Sequence, residues 1–135
     1  MLRTAQQLVE EAEAQIVALE PSEAHALARD GTAVLVDIRD IRELAREGRV
    51  PGAVHAPRGM LEFWVDPESP YHREVFAQPG KTFVFFCAAA WRSPLATRDL
   101  QEMGLAPVAH VRGGFTAWKE AGLPVTEPEP PKTGA

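Results

Sequence analysis

The sequence predicts an α/β fold in which a central parallel sheet of about five strands carries helices on both faces. Short apolar segments alternate with segments of helical periodicity, and helix-starting or helix-ending residues stand at the junctions between them. Parallel strands need crossover helices, and those helices cover both faces of the sheet. The 135 residues and the 45% hydrophobic content are enough for one domain with a single core.

The N-terminal part of the chain is predicted to be helical. Apolar residues recur at helical spacing among glutamates and glutamines over residues 3–19, which predicts an extra amphipathic helix before the main domain. A second short helix is expected after Pro21 and ends near Gly31, because glycine stops a helix. The apolar segment Ala33–Asp37 then predicts a buried strand.

The middle of the chain alternates between regular and interrupted segments. Asp40 and Glu43 have the spacing of a capping box, so they predict a helix, which ends at Gly48. A Pro-Gly turn leads from there into a short strand over residues 53–56. Prolines interrupt residues 60–79, which are expected to be irregular or a broken helix.

The C-terminal half has the clearest alternation of strand and helix. Thr82–Phe86 is the candidate central strand, and a helix that starts at Ser93-Pro94 follows it and closes at Gly104. Val108–Val111 is the last predicted strand, and a final helix covers Thr116–Ala121.

These elements divide the chain into three parts. Residues 21–125 form the α/β domain, residues 1–20 carry the N-terminal helix, and residues 126–135, rich in proline and glutamate, are expected to be a flexible tail. The N-terminal helix can pack on its own domain, form a dimer contact or dock a partner protein. The oligomeric state is therefore left open.

Composition and charge exclude several classes of partner. A net charge of −5 with scattered arginines predicts no nucleic-acid partner. No apolar stretch approaches the roughly 20 residues that cross a bilayer, so neither a membrane nor a signal peptide is expected. One cysteine cannot form an internal disulfide, which favours a reducing cytoplasm. No metal is expected, because metal-ligand spacing is lacking among the histidines His25, His55, His72 and His110.

Cys87 is the candidate nucleophile. It ends the predicted central strand, and a loop and a helix start follow it, consisting of Ala88, Ala89, Ala90, Trp91, Arg92, Ser93 and Pro94. Backbone N–H groups of a tight loop and of a helix N-terminus favour an anion, and a nearby arginine strengthens this preference for the thiolate. Arg92 can supply that charge. The alternative is a buried structural cysteine, which is common because free cysteine packs as a small hydrophobe.

Four chain segments that carry reactive, charged or glycine residues follow the predicted strands. In a parallel α/β sheet, ligands bind beyond the carboxyl ends of the strands. The segments at these positions are Asp37–Arg39, Pro57–Gly59, Cys87–Arg92 and Arg112–Gly114. We therefore expect them to meet at one rim of the sheet.

The motifs at this rim resemble those of the rhodanese family, whose sulfurtransferases carry sulfur as a cysteine persulfide. The resemblance covers roughly residues 20–125 and rests on the order of the motifs along the chain. The matching segments are Asp37–Arg39, Gly48–His55, the active-site loop Cys87–Ser93, Arg112–Trp118 and Ala121–Val125. The resemblance implies a rhodanese-like fold and a thiosulfate sulfurtransferase of the rhodanese type.

The resemblance also implies roles for individual residues. Cys87 would take sulfur from thiosulfate or a related donor and pass it to a thiophilic acceptor, which is cyanide in the laboratory and a thiol or a protein in the cell. The amides of loop residues 88–92 would stabilise the persulfide, and Arg92 would hold the loop. No cofactor is implied beyond the covalent persulfide. Asp37 pairs with Arg92 or Arg39, as a structural ion pair or near the substrate, and Arg58 either attracts an anionic donor or is a solvated surface residue.

Two departures from the family pattern affect the loop. Many family members have glycine where this chain has Ala90, and a left-handed backbone there would cost alanine about 1–2 kcal/mol. Pro94 replaces a small residue, with little consequence if it occupies the first helical position.

Two other functions stay open. One is a non-catalytic rhodanese-like module that binds a partner, although such modules usually lose the cysteine that this chain keeps. The other is a phosphatase or arsenate reductase of the same fold. Related phosphatases place the arginine one residue further from the cysteine, whereas four residues separate Cys87 from Arg92, which resembles the tighter loop that suits sulfur.

Overall fold

The computed structural model describes residues 2–128 of the chain. Within this range the helices are α1 (Ala5–Glu13), α2 (Pro21–Arg29), α3 (Ile41–Glu47), α4 (Leu61–Val65), α5 (Arg92–Glu102) and α6 (Gly114–Glu120). The strands are β1 (Val17–Leu19), β2 (Ala33–Asp37), β3 (Val54–His55), β4 (Thr82–Phe86) and β5 (Val108–Val111). Short 3₁₀ turns at Arg58–Met60 and Glu74–Phe76 complete the interrupted middle region.

The five strands form one sheet in the order β1-β5-β4-β2-β3, and all neighbouring pairs are parallel. The predicted α/β class and the central position of Thr82–Phe86 are therefore confirmed. The sequence of β4 is apolar on both faces, as a central strand between two helical layers requires. Its phenylalanines at 83 and 85 face one core and its residues Val84 and Phe86 face the other, because successive side chains of a strand point to opposite faces.

Helices cover both faces of this sheet, as expected. On one face Ala96 and Leu100 of α5 and Leu61 of α4 pack against Phe83 and Phe85. On the other face Ala24 of α2 packs with Phe115 and Trp118 of α6 in a second buried cluster. Each large apolar side chain buried in this way contributes about 1.5–3 kcal/mol of transfer free energy.

The predicted N-terminal helix over residues 3–19 is wrong in its extent. Thr4 and Gln7 form a capping box that starts α1, but the helix ends at Glu13. Val17–Leu19 instead pairs with β5 as an edge strand of the sheet. In the sheet, the backbone N–H and C=O groups of this segment form hydrogen bonds with β5 in place of the bonds of a continued helix. The β-branched residues Ile16 and Val17 also favour the extended form.

Smaller boundary differences concern helix starts and the tail. Helix α5 begins at Arg92, so Pro94 is its third residue, not its first, and α6 begins two residues before Thr116. The missing N–H of Pro94 still lies in the first turn, where no helical partner is required. Thr126, assigned to the flexible tail, exchanges two backbone hydrogen bonds of 2.7 and 3.1 Å with Arg49. Residues 129–135 of that tail lie outside the described residues.

The polypeptide in this range contains no helix long and apolar enough to cross a membrane.

Candidate functional site

Cys87 directly follows the central strand β4 and is buried, with 1% of its surface exposed. The next residues form a compact loop that ends where α5 begins at Arg92. Strand and loop thus occupy ten residues, and the helix follows them directly, in the order that the sequence predicts. The arrangement places the sulfur beside the N-terminus of an eleven-residue helix, whose free N–H groups favour negative charge.

Ala90 adopts the left-handed backbone conformation that the family pattern assigns to glycine. Its φ angle is 64°, the only positive φ of a non-glycine residue within the described range. A side chain at Cβ makes this region unfavourable by roughly 1–2 kcal/mol. The loop therefore keeps a glycine-like shape at a cost in stability.

The N-terminus of α6 holds the loop backbone at the nucleophile. The N–H of Phe115 donates to the carbonyl of Cys87 at 2.8 Å, and the N–H of Thr116 donates to the carbonyl of Ala88 at 3.0 Å. Gly114 makes this approach possible. A Cβ atom at that position would lie 2.5 Å from the Cys87 carbonyl oxygen and 2.8 Å from that of Ala88, closer than side-chain carbons come to backbone atoms.

Arg92 forms a bidentate ion pair with Glu43 of α3. Its two terminal nitrogens lie 2.7 and 3.0 Å from the two carboxylate oxygens. The hydrogen bond from Arg92 is the main reason that the pKa of Glu43 is lowered, and the same bond raises the pKa of Arg92, with a smaller contribution from Cys87. Arg92 is thus a permanent positive charge at the end of the cysteine loop.

Glu43 is a site residue that the sequence reasoning missed. Its capping-box contact was predicted, and it exists as a 3.3 Å bond from the Asp40 N–H to the Glu43 carboxylate. The same carboxylate reaches across to Arg92, which follows it by 49 residues. No local pattern indicates that second contact, since Asp37 was the expected partner. Glu43 therefore ties the start of α3 to the start of α5, directly after the cysteine loop.

Asp37 and Arg39 form a buried ion pair with each other. Arg39 donates to the Asp37 carboxylate from Nε and from a terminal nitrogen, the latter at 2.7 Å, and also to the carbonyl of Gly48 at 2.9 Å. Its guanidinium lies 4.1 Å from the ring centre of Phe115. Each residue is only 1% exposed. These contacts are those of a structural ion pair, one of the two roles predicted for these residues. They join β2, the end of α3 and the start of α6.

Ser93 and His110 form a second buried polar pair behind the loop. The Ser93 hydroxyl lies 3.1 Å from Nδ1 of His110, and both residues are almost fully buried. Burial, helped by the positive charge of Arg112, lowers the pKa of His110 to about 4. A neutral histidine therefore connects β5 to the second residue of α5.

Arg58, predicted either to attract an anionic donor or to be a solvated surface residue, is part of an ion-pair network. Its guanidinium bonds to Glu62 of α4 at 2.8 Å and to Asp99 of α5 at 2.9 Å. Two carboxylates thus already neutralise this cation, and its contacts belong to the packing of α4 on α5. Trp91 is 56% exposed at the loop.

A cleft of about 390 Å³ reaches the loop at Ala88. Its inner end is lined by Arg39, Glu43, Phe115 and Thr116, and its outer end by charged residues of α3 and α6. The rim predicted from the strand ends thus includes a concave surface that the cysteine loop lines at Ala88. No group of three or more His, Cys, Asp or Glu side chains among residues 2–128 is arranged to hold a metal ion.

Two relatives in sequence share most of this chain. A protein of Allochromatium vinosum named as a sulfurtransferase is 34% identical over 96 residues, which are 71% of this chain and 80% of that protein. An uncharacterized protein of Synechocystis is 30% identical over 111 residues, which are 82% of this chain and 56% of that protein. The chain thus spans little more than half the length of the second relative.

Two solved structures resemble this one closely. A protein of unknown function from Rhodopseudomonas palustris, described as a possible tyrosine phosphatase, is 47% identical with a TM-score of 0.87, and the match covers 93% of this chain and 96% of the other. The thiosulfate sulfurtransferase of Pseudomonas aeruginosa is 28% identical with a TM-score of 0.76, and the match covers 97% of this chain and 24% of that larger one.

The match to a protein family covers most of the domain. The model of the rhodanese-like domain family matches residues 20–121, which include the cysteine loop, its arginine and the glycines that hold α6 against it. The chain therefore belongs to the rhodanese-like family, as its motifs predict.

Proposed function

We propose that this protein is a sulfurtransferase that moves sulfane sulfur through a persulfide on Cys87. The donor is thiosulfate or a related compound, and the acceptor is cyanide in vitro and a thiol or a protein in a reducing cytoplasm. The observation that carries the proposal is a single buried cysteine that directly follows the central strand, whose backbone is held by α6 and whose loop ends at Arg92, the first residue of α5.

The first step forms the persulfide. The Cys87 thiolate attacks the outer sulfur of thiosulfate, a bond forms between the two sulfur atoms, and the bond to the sulfite group breaks. The electron pair of that bond leaves with sulfite. Arg92 stabilises the negative charge in this step, and the loop amides are proposed to do the same. Sulfur arrives without any external oxidant, and no cofactor takes part.

The second step regenerates the Cys87 thiolate. A nucleophilic acceptor attacks the outer sulfur of the persulfide, the sulfur–sulfur bond breaks, and its electron pair stays on Cys87 as a thiolate. Burial of Cys87 supports this chemistry, because interactions with fixed charges are stronger where water is excluded.

Phosphate chemistry is the second candidate, because the similar Rhodopseudomonas structure is described as a possible tyrosine phosphatase. The loop length favours sulfur transfer. Four residues separate Cys87 from Arg92, one fewer than in the related phosphatases, and this spacing resembles the tighter loop that suits a sulfur atom. The non-catalytic binding module is disfavoured, because such modules usually lose the cysteine, whereas both Cys87 and Arg92 are present here.

The test is intact-protein mass spectrometry after incubation with thiosulfate. We expect a gain of one sulfur atom, its loss on adding cyanide, and no gain in the Cys87→Ser variant, which keeps the size of the side chain. Hydrolysis of para-nitrophenyl phosphate is measured on the same samples, and we expect none. A thiol that alkylates readily but accepts no sulfur from thiosulfate or inorganic polysulfide, or one that hydrolyses the phosphate ester, would contradict the proposal.

A further inference from the structure

Helix α5 begins at the end of the cysteine loop without a cap of its own. Its N-cap residue is Trp91, whose side chain forms no capping hydrogen bond, whereas Thr4 and Asp40 cap the starts of α1 and α3 with their side chains. The backbone N–H groups of an uncapped first turn lack partners, so that turn frays unless other contacts hold it. The start of α5 therefore depends on contacts from outside the helix.

Two such contacts hold the first two residues of α5. Arg92 pairs with Glu43 of α3, and the hydroxyl of Ser93 lies 3.1 Å from Nδ1 of His110 in β5. The second contact is the more deeply buried, since Ser93 is 0% and His110 2% exposed. It ties the start of α5 to the strand that lies beside the central strand β4.

The position of His110 on β5 follows from the sheet register. Its partner on β4 is Phe85, two residues before Cys87. Its neighbours along β5, Ala109 and Val111, belong to the apolar cluster on the face away from α5. Because successive side chains of a strand point to opposite faces, His110 lies on the face that α5 covers.

Packing alone gives no reason for a polar pair at this place. Burying a hydroxyl and an imidazole costs free energy that their hydrogen bond offsets, and two apolar side chains of similar size would be about as stable. Val108, two residues earlier on the same face of β5, is part of the apolar core. A buried polar pair that stability does not require points to a role in the site.

The two flanks of the cysteine loop are held differently. Among the described residues, the backbone hydrogen bonds from α6 to the loop end on Cys87 and Ala88. At the other flank a hollow of about 290 Å³ borders Ala90, and His110 forms part of its wall. The Ala90 flank therefore lacks packed neighbours on that side, and its position depends on the helix start that follows it.

We infer that His110 is a positioning residue for sulfur transfer: through the Ser93 hydroxyl it fixes the first turn of α5, and with it Arg92 and the Ala90 flank of the loop. The inference rests on the proposed function and adds a residue that acts through Ser93. The contact is made by Nδ1, so a side chain that presents a polar group at the place of this nitrogen should replace histidine.

The experiment measures the rate at which Cys87 gains sulfur from thiosulfate in a single turnover, by rapid quenching and intact-protein mass spectrometry. Ser93→Ala removes one oxygen atom, and His110→Leu replaces the imidazole with an apolar side chain of similar volume. Each should lower the maximal loading rate about fivefold, the size of one net hydrogen bond. The thiosulfate concentration for half-maximal rate should stay unchanged, because neither residue is proposed to bind the donor.

The Ser93→Ala/His110→Leu double variant separates positioning from stability. It leaves neither partner of the pair buried without the other, so its free energy of unfolding should lie close to that of the native protein. Its loading should be as slow as that of the single variants and no slower, because both residues act through one contact. A pair that only stabilised the fold would give native loading in this variant.

Three further variants serve as controls. Asparagine in His110→Asn places its amide near the position of Nδ1 and can pair with Ser93, so loading should stay within about twofold of the native rate. Glutamine in His110→Gln places its amide one bond farther out and should be as slow as His110→Leu. Thr97→Val removes another buried hydroxyl of α5, one without a hydrogen-bond partner, and should load at the native rate.

The outcomes distinguish this inference from the function on which it rests. A double variant that loads at the native rate would overturn the inference and leave the sulfurtransferase intact. Loading that falls as far in His110→Asn or in Thr97→Val as in His110→Leu would overturn it as well. If His110→Leu does not fold, Ser93→Ala carries the same test. Native protein that accepts no sulfur at Cys87 would overturn the proposed function, and the inference with it.

Discussion

Ala90 shows how one residue sets the shape of the loop. Its left-handed backbone, with φ of 64°, disfavours alanine by about 1–2 kcal/mol, whereas glycine adopts it freely. Glycine also makes the unfolded chain more flexible, which offsets about 0.4–1 kcal/mol of the gain. We therefore expect Ala90→Gly to raise the free energy of unfolding by up to about 1 kcal/mol, as measured by chemical denaturation.

The neighbouring alanine provides a matched control. Ala89 has no positive φ, so Ala89→Gly should lower the free energy of unfolding by about 0.4–1 kcal/mol. If both glycine variants lose stability equally, the strain assigned to Ala90 does not exist.

Local patterns in the sequence indicated Cys87 and Arg92 as candidate site residues, and the structure places them at the two ends of one short loop, while their roles stay a prediction. Glu43 was missed because its contact with Arg92 crosses 49 residues and depends on how α3 packs beside α5. The contact of Arg58 with Asp99 was missed for the same reason, because it crosses 41 residues, and the role of Arg58 toward an anionic donor stays a prediction.

At the scale of elements, the junction between β5 and α6 supports the loop. Alanine at position 114 would place its Cβ 2.5 Å from the Cys87 carbonyl oxygen in a backbone with φ of +62°. We expect Gly114→Ala to lower the free energy of unfolding by about 3 kcal/mol or more, since overpacking adds to the backbone strain. Sulfur loading of Cys87 should fall with it, because α6 must move away from the loop. Denaturation and mass spectrometry measure the two effects.

Gly122 is a control that distinguishes the effect of backbone strain from the effect of a Cβ contact with the loop. It has a similar φ of +72°, but a Cβ there would meet no atom within 4 Å. Gly122→Ala should therefore lose only about 1–2 kcal/mol and keep normal loading. Equal losses in the two variants would show that contact with the loop does not matter.

Element boundaries explain which parts of the fold the sequence could predict. Strands β2, β4 and β5 are short apolar segments with clear stops, and their predicted limits match those observed. The edge strand β1 was assigned to a helix because its three residues continue the apolar spacing of α1, and only pairing with β5 distinguishes the two structures. Thr126 was assigned to the tail for a similar reason, since its partner Arg49 is remote in sequence.

Across the whole molecule, the sheet order brings the functional loops together. Strand β4 lies at the centre, between β5 and β2, so the segments that follow these three strands meet at one rim. The Arg92–Glu43 and Ser93–His110 pairs each join two different elements near that rim, and Arg39 links Asp37 of β2 to the carbonyl of Gly48 after α3. The site thus depends on the packing of the entire domain.

The buried histidine makes the stability of the whole domain depend on pH. The folded protein keeps His110 neutral down to a pKa of about 4, whereas the unfolded chain binds this proton near pH 6.5. Lowering the pH from 6.5 to 4 therefore favours unfolding, by at most about 1.4 kcal/mol per pH unit from this group, and below pH 4 its contribution stops changing. Denaturation curves across this range measure the effect.

His110→Asn isolates that contribution, because asparagine is neutral at every pH and can still pair with Ser93. Carboxylates such as Glu43, whose pKa is lowered in the folded protein, also lose stabilising contacts in acid, but they are present in both proteins and cancel in the difference. The variant should be less stable at pH 7, and its free energy of unfolding should fall less steeply between pH 6.5 and 4. Parallel pH profiles, or a His110 ring that titrates near pH 6.5 by NMR, would mean that the histidine is not held neutral by its burial between β5 and α5.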